Sequence, residues 1–151
     1  MLDWIIDFLS NPFLITAVIS WLLAQTLKVI THAMVYHEFD IKRFFGDGGM
    51  PSAHTATVSS LAFLAGIIYG FGSFNFAICA IFTVVVCRDA VGVRMETGKQ
   101  AVILNEIRKN YENESIEEIK LKEFVGHTTS QVMGGMILGI IVATVMYFIL
   151  F

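Results

Sequence analysis

Charge is scarce in this chain, and cysteine nearly absent. Of 151 residues, 15% are charged and 56% hydrophobic, with a mean hydropathy of +0.70, whereas soluble domains of this size carry about 25% charge. That scarcity excludes an ordinary water-soluble globule. Thirteen acidic and ten basic residues leave a formal charge of −3, so there is no polycationic surface for nucleic acid. Cys79 and Cys87 are the only cysteines, both in an apolar stretch, which excludes a disulfide framework and any zinc-ligand spacing. With no repeat, no low-complexity tract and no second compositional zone, one membrane-embedded domain over residues 1–151 is expected.

What the chain does have is long hydrophobic runs. A bilayer core of about 30 Å takes about 20 mainly apolar residues in a helix, because lipid cannot satisfy backbone N–H and C=O groups. Four stretches approach this: residues 12–36, 55–69, 74–87 and 132–151. The expected fold class is all-α, a polytopic membrane bundle of about four transmembrane helices with short amphipathic helices beside them. The turn Gly70-Phe71-Gly72-Ser73 makes the second and third spans a hairpin. Both are short, so tilt or continuation into neighbouring polar segments is expected. Residues 1–10 are too short to cross and lack the basic start of a secretory signal, so they read as an interfacial helix anchored by Trp4, a cleaved signal being the alternative. Gly135 with Gly139, and Ala62 with Gly66, have the small-residue spacing that lets helices pack closely in lipid. Whether copies of the chain associate into a homo-oligomer is left open.

All ten basic residues fall between positions 28 and 122, and neither terminus nor the hairpin turn carries one. Basic loops stay in the cytoplasm, so the expected localisation is the cell membrane, multi-pass, with both polar segments, the loop after the first span and residues 94–126, on the cytoplasmic face. Within that segment, residues 100–108 have helical apolar spacing. Ser115 with Glu118 fits a capping box that would open a further helix, and the acidic run 112–118 reads as a solvated tip.

Two glycine-histidine arrangements stand directly before hydrophobic spans. In Gly48-Gly49-Met50-Pro51-Ser52-Ala53-His54-Thr55, Ser52 is a natural helix cap, and the helix start offers backbone N–H groups and partial positive charge to an anion. His54 in the first turn can hand a proton to a leaving oxygen near pH 7, the alternative being a polar interfacial histidine. Gly126-His127-Thr128-Thr129-Ser130-Gln131 repeats the arrangement. Four apart, His127 and Gln131 share a face, so the Gln131 amide oxygen can accept from one ring nitrogen and leave the other for attack on phosphorus. Arg94, Arg88 and Lys99 supply cations, Arg with a planar fork that matches phosphate oxygens. Arg88 beside Asp89 also reads as a self-neutralising pair at the membrane edge. Lys28 reads as snorkelling from its helix, and His32 and His37 as interfacial. The four histidines lack the carboxylate or thiolate neighbours of a metal site, so neither metal nor cofactor is expected.

These motifs resemble the divergent branch of the type 2 phosphatidic acid phosphatase superfamily, related to acid phosphatases and vanadium haloperoxidases. Gly49-Met50-Pro51-Ser52-Ala53-His54 is similar to that superfamily's Pro-Ser-Gly-His motif. The branch's own signature is matched by Asp89-Ala90-Val91-Gly92-Val93-Arg94 with Gly98-Lys99-Gln100-Ala101, and by Gly126-His127-Thr128-Thr129-Ser130-Gln131-Val132. The resemblance implies a metal-independent hydrolase acting on a lipid phosphate, with His127 as nucleophile, His54 as general acid and Arg94 beside them. It implies substrate contacts from Ser52, Ala53, Arg88, Lys99, Arg43, Gln131 and Asp89. The chain departs from the pattern in four places: Gln131 stands where an Asp is usual, Leu121 where an Arg is usual, Ala53 replaces Gly, and the first Lys-and-Arg motif is missing. Lys28, Lys42 and Arg43 are the candidates for its cations. A non-enzymatic protein that binds or moves phosphorylated lipid is the alternative function, and vanadate-dependent oxidation a remoter one.

Overall fold

The four most apolar of the long helices each begin at a polar side chain that satisfies amide groups with no intrahelical partner. The structure, a computed structural model, describes residues 3–46, 48–110, 121–123 and 125–151. A short α1 (Asp3–Leu9) precedes α2 (Pro12–Tyr36), where Asn11 accepts from the Phe13 and Leu14 amides at 2.9 and 3.3 Å and Pro12 occupies the first turn. Ser52 opens α3 (Ala53–Tyr69), and Ser73 opens α4 (Phe74–Val91). The amphipathic α5 (Val93–Asn110) follows after a single residue, Gly92. Thr128 opens α6 (Thr129–Leu150) with a complete capping box, Gln131 reaching back to the cap. A 3-10 turn, Ile41–Phe45, lies between α2 and α3.

The described residues contain helices and no strand, and the protein is an all-α membrane protein. Three runs are long and apolar enough to cross a bilayer: α2, α4 with its continuation into α5, and α6. The fourth expected span, α3, has 17 residues, about 26 Å at 1.5 Å per residue. Its shortness is tolerable because α3 is enclosed by α2, α4 and α6 and meets protein where the others meet lipid. Thr55, Ala56, Ser60 and Leu64 on α3 are wholly buried. By contrast α4 leaves Phe74, Ile81 and Val84 more than 60% exposed, a composition suited to acyl chains. Helix α4 ends at Val91, four residues beyond the expected 87, and α5 begins at Val93, well ahead of residue 100.

Close approach between α3 and α6 rests on Gly135 and Gly139. A Cβ on Gly135 would overlap the Ser52 carbonyl oxygen, and one on Gly139 that of Ala56. The Gly-x-x-x-Gly spacing thus seats α6 on the backbone of the first turns of α3. Ala62 is buried in α3, and Gly66 packs under the Phe71 ring of the hairpin turn, where a Cβ would lie 2.5 Å from Cε1. Helix α1 buries no residue and exposes Trp4, Ile6, Phe8 and Leu9, as an interfacial helix would. At the same end of the bundle Phe13 stacks on Tyr69. The capped helix expected from Ser115 and the acidic run 112–118 lie outside the described residues.

Candidate functional site

Antiparallel connection of α2, α3, α4 and α6 brings four helix ends to one pole of the bundle: the starts of α3 and α6 and the ends of α2 and α4. Two backbone bonds fasten this pole. The Ser52 amide donates to the Gln131 carbonyl at 3.0 Å, and the His127 amide donates to the Ala90 carbonyl at 3.0 Å. The starts of α3 and α6 therefore lie side by side, with their unpaired amides and partial positive charges at the same level.

His127 sits one residue ahead of the Thr128 cap and is only 5% exposed. Its ring nitrogen Nδ1 is 3.3 Å from Gln131 Oε1, and the same oxygen accepts from the Thr128 amide at 3.0 Å. The Thr128 amide can only donate, which identifies the atom facing it as the Gln131 oxygen. Nδ1 must then carry the hydrogen, leaving the Nε2 lone pair for chemistry. Burial pushes the His127 pKa below the usual 6.5. Gln131 opposes this shift, the positive charges of Lys28 and His54 add to it, and the backbone of Gly49 opposes it. The net result is a neutral ring at pH 7, the form a nucleophile needs.

The ring faces a cavity of about 820 Å³, within the range of small-ligand sites. Lys28, Arg43 and Lys99 contribute its cationic groups, and Val35, Met50, Met95 and Val102 its apolar wall. Lys28 is 5% exposed although it lies inside α2, and its ammonium donates to the Gly46 carbonyl at 3.1 Å. Its stem runs along Gly49, where φ is +86° and a Cβ would come within 2.9 Å of Lys28 Cγ. Only glycine meets both demands, the left-handed backbone and the passage of the lysine stem. Thr31, one turn further along α2, donates to the Met50 carbonyl at 2.6 Å and ties the glycine loop to the same helix.

The other expected site residues are placed differently from one another. Lys99, Arg43 and Gln131 line the cavity with His127. Lys99 also holds Glu96 at 2.7 Å, and Arg43 stands 3.8 Å from Asp40. His54 is exposed on the first turn of α3, outside the lining, yet near enough for its charge to act on His127. Ser52 and Ala53 are buried and do not line the cavity, the Ser52 hydroxyl accepting from the Thr55 amide and hydroxyl at 3.3 and 3.0 Å. Arg94 does not line the cavity: its Nε donates to Asp89 at 2.5 Å across the α4–α5 corner. Arg88 is exposed at the end of α4.

Lys28, Gly49 and His32, which lines the cavity although it reads from sequence as interfacial, are the residues whose place the sequence left undervalued. The available signal was a lysine inside an otherwise apolar helix, since a charge at that depth is costly and seldom idle. No His, Cys, Asp or Glu cluster able to hold a metal occurs among the described residues.

Comparison with known proteins is consistent across nearly the whole chain. A family profile described as "Divergent PAP2 family" matches residues 9–142. The "Uncharacterized membrane protein YuiD" of Bacillus subtilis (strain 168) is 31% identical over 152 aligned positions, covering 93% of this chain and 96% of the relative. No solved structure matches.

Proposed function

Starting from the chain's membership of the divergent PAP2 family, we propose that it is an integral membrane phosphatase that removes phosphate from a lipid phosphomonoester or pyrophosphate through a phosphohistidine. The observation that carries this reading is His127: a buried, neutral imidazole whose Nδ1 is held by Gln131, beside a buried lysine in a cavity of mixed apolar and cationic lining. Nε2 attacks phosphorus, the bond from phosphorus to the lipid oxygen breaks, and that oxygen takes a proton from His54. Water then cleaves the phosphorus–nitrogen bond and releases inorganic phosphate. Lys28, with Arg43 and Lys99 at the rim, neutralises the phosphoryl oxygens. Lys28 takes the place of the missing first-motif cation. The apolar wall of Val35, Met50, Met95 and Val102 suits the first carbons of a lipid chain.

In this proposal the pole with the cavity faces the cytoplasm, because the loops there hold the basic residues. Arg94 and Asp89 brace the α4–α5 corner, and Ser52 and Ala53 shape the start of α3, with no direct contact to substrate. A second reading has one observation in its favour. Gln131 in place of a carboxylate behind His127, with Arg94 turned to Asp89, suits a protein that binds or moves phosphorylated lipid without cleaving it.

Phosphate release from a panel of lipid phosphates by the purified protein in detergent separates the two. The phosphatase reading expects release that disappears in His127→Ala. Tight lipid binding with no release from any member of the panel would favour the binding protein.

A further inference from the structure

The chain that returns from α5 to α6 does not merely connect them. Its described residues 121–123 and 125–127 run antiparallel along α5, stitched at four levels. At the far level Asn105, only 3% exposed, donates from Nδ2 to the Leu121 carbonyl at 2.9 Å and accepts from the Leu121 amide at 3.1 Å. Its Nδ2 also donates to Glu123 Oε1 at 2.7 Å. The side-chain amide thus pairs with the backbone as a neighbouring strand would, leaving no buried polar atom of Asn105 idle.

At the second level a Cβ on Gly98 would lie 2.7 Å from the Glu123 carbonyl oxygen and 2.8 Å from that of Val125. At the third, Gly126 has φ of +96° and a Cβ there would lie 2.5 Å from the Met95 amide nitrogen. At the last, the His127 amide takes the Ala90 carbonyl. That carbonyl is available because the helix breaks at Gly92. The Gly92 amide donates back to the Arg88 carbonyl at 2.9 Å, and the Glu96 amide then donates to the Gly92 carbonyl at 3.0 Å.

We infer that Asn105 and Gly98 are positioning residues for His127: with the Gly92 break they form a template on α5 that sets where the segment before α6 lies, and so where the imidazole enters the cavity. The branch signature around Asp89 to Ala101 thereby acts on the site through backbone registration. Its catalytic meaning rests on the phosphatase reading, but the positioning itself is measurable without turnover.

The test uses full-length protein in detergent micelles with isotope-labelled histidine, following the His127 ring by NMR through a pH titration. Thermal unfolding and hydrolysis of a phosphatidic acid are measured alongside. Asn105→Ala and Gly98→Ala are expected to free the ring from burial, so that His127 titrates at higher pH than in the wild type, closer to an ordinary histidine. Hydrolysis falls about 10- to 100-fold, the cost of a misplacement near 1 Å. Asn105→Asp, which sets a carboxylate against Glu123, behaves the same way. Adding Glu123→Gln gives that carboxylate a donor, although it still opposes the Leu121 carbonyl, and is expected to return the titration part of the way towards wild type. Ile103→Ala, on the exposed face of the same helix, leaves the titration unchanged.

Lower unfolding temperature with an unmoved His127 titration in the folded protein would overturn the inference, since Asn105 would then only stabilise the fold. So would a double variant that titrates like Asn105→Asp. If the alanine variants do not fold, the comparison of Asn105→Asp with its double variant decides. Absence of hydrolysis in the wild type would defeat the phosphatase reading and leave the titration result standing.

Discussion

The two glycine-histidine segments look alike in sequence and fold differently. His54 comes two residues after its helix cap, Ser52, and stands exposed on the first turn of α3. His127 comes one residue before its cap, Thr128, and is buried against the end of α4. The offset relative to the cap decides the outcome. A residue inside the first turn projects from the helix surface, whereas the residue before the cap follows an incoming chain, and here that chain is fastened to Ala90 and packed on Met95. One histidine keeps contact with water and can exchange protons. The other is held neutral and oriented. This asymmetry suits a pair in which one member donates a proton and the other attacks.

Substitutions that remove one side of this asymmetry give graded effects. The largest is expected for His127→Ala, a loss of at least about 10³-fold in hydrolysis, since His32, the other histidine of the cavity lining, has its Nδ1 3.3 Å from the Glu38 carbonyl and its ring against Tyr36, without the Gln131 contact that orients His127. His54→Ala follows, at about 10² for an ordinary lipid phosphate. Its defect shrinks for a substrate with a nitrophenol leaving group, which needs no proton, and an equal loss on both substrates would remove His54 from the acid role. Lys28→Met deletes a charge-assisted contact of about 1.5–3 kcal/mol, or roughly 10- to 100-fold in kcat/KM, with the steady-state rate as readout. Gln131→Asp is the mildest: equal or greater activity is expected, because a carboxylate accepts from Nδ1 at least as well as an amide and stabilises the charged ring.

The pH dependence follows the buried histidine. Its pKa in the folded protein lies below 6.5, so hydrolysis persists as pH falls past the ordinary histidine range and drops only when His127 itself takes a proton. For stability the sign is the same. Between the lowered value and 6.5 the unfolded chain binds more protons than the folded one, so stability falls as pH falls through that window and is level above it. Thermal unfolding against pH checks this, and in His127→Gln the contribution vanishes.

The helical hairpin, the Gly135 and Gly139 contact and the Ser52 cap were legible because each depends on local chemistry: a glycine turn, small residues at helical spacing, a hydroxyl just ahead of a hydrophobic run. The Gln131 contact with His127 was legible for the same reason. Lys28 was not, because its partner Gly46 and its neighbour Gly49 lie about twenty residues away and periodicity carries no information on such pairs. Arg94 shows the converse. Its place in a signature motif and its phosphate-shaped side chain pointed to the cavity, and the corner at Gly92 turns it to Asp89 instead. Asn105 lies in a polar helix, and only the returning chain shows what it binds.

The most direct measurement is to quench the protein during turnover of a ³²P-labelled lipid phosphate in alkali and map the labelled residue by mass spectrometry. The account predicts an acid-labile, alkali-stable phosphoryl group on His127, absent from the His127→Ala variant. Product formation with no label on the protein, or a label on any other residue, would contradict it.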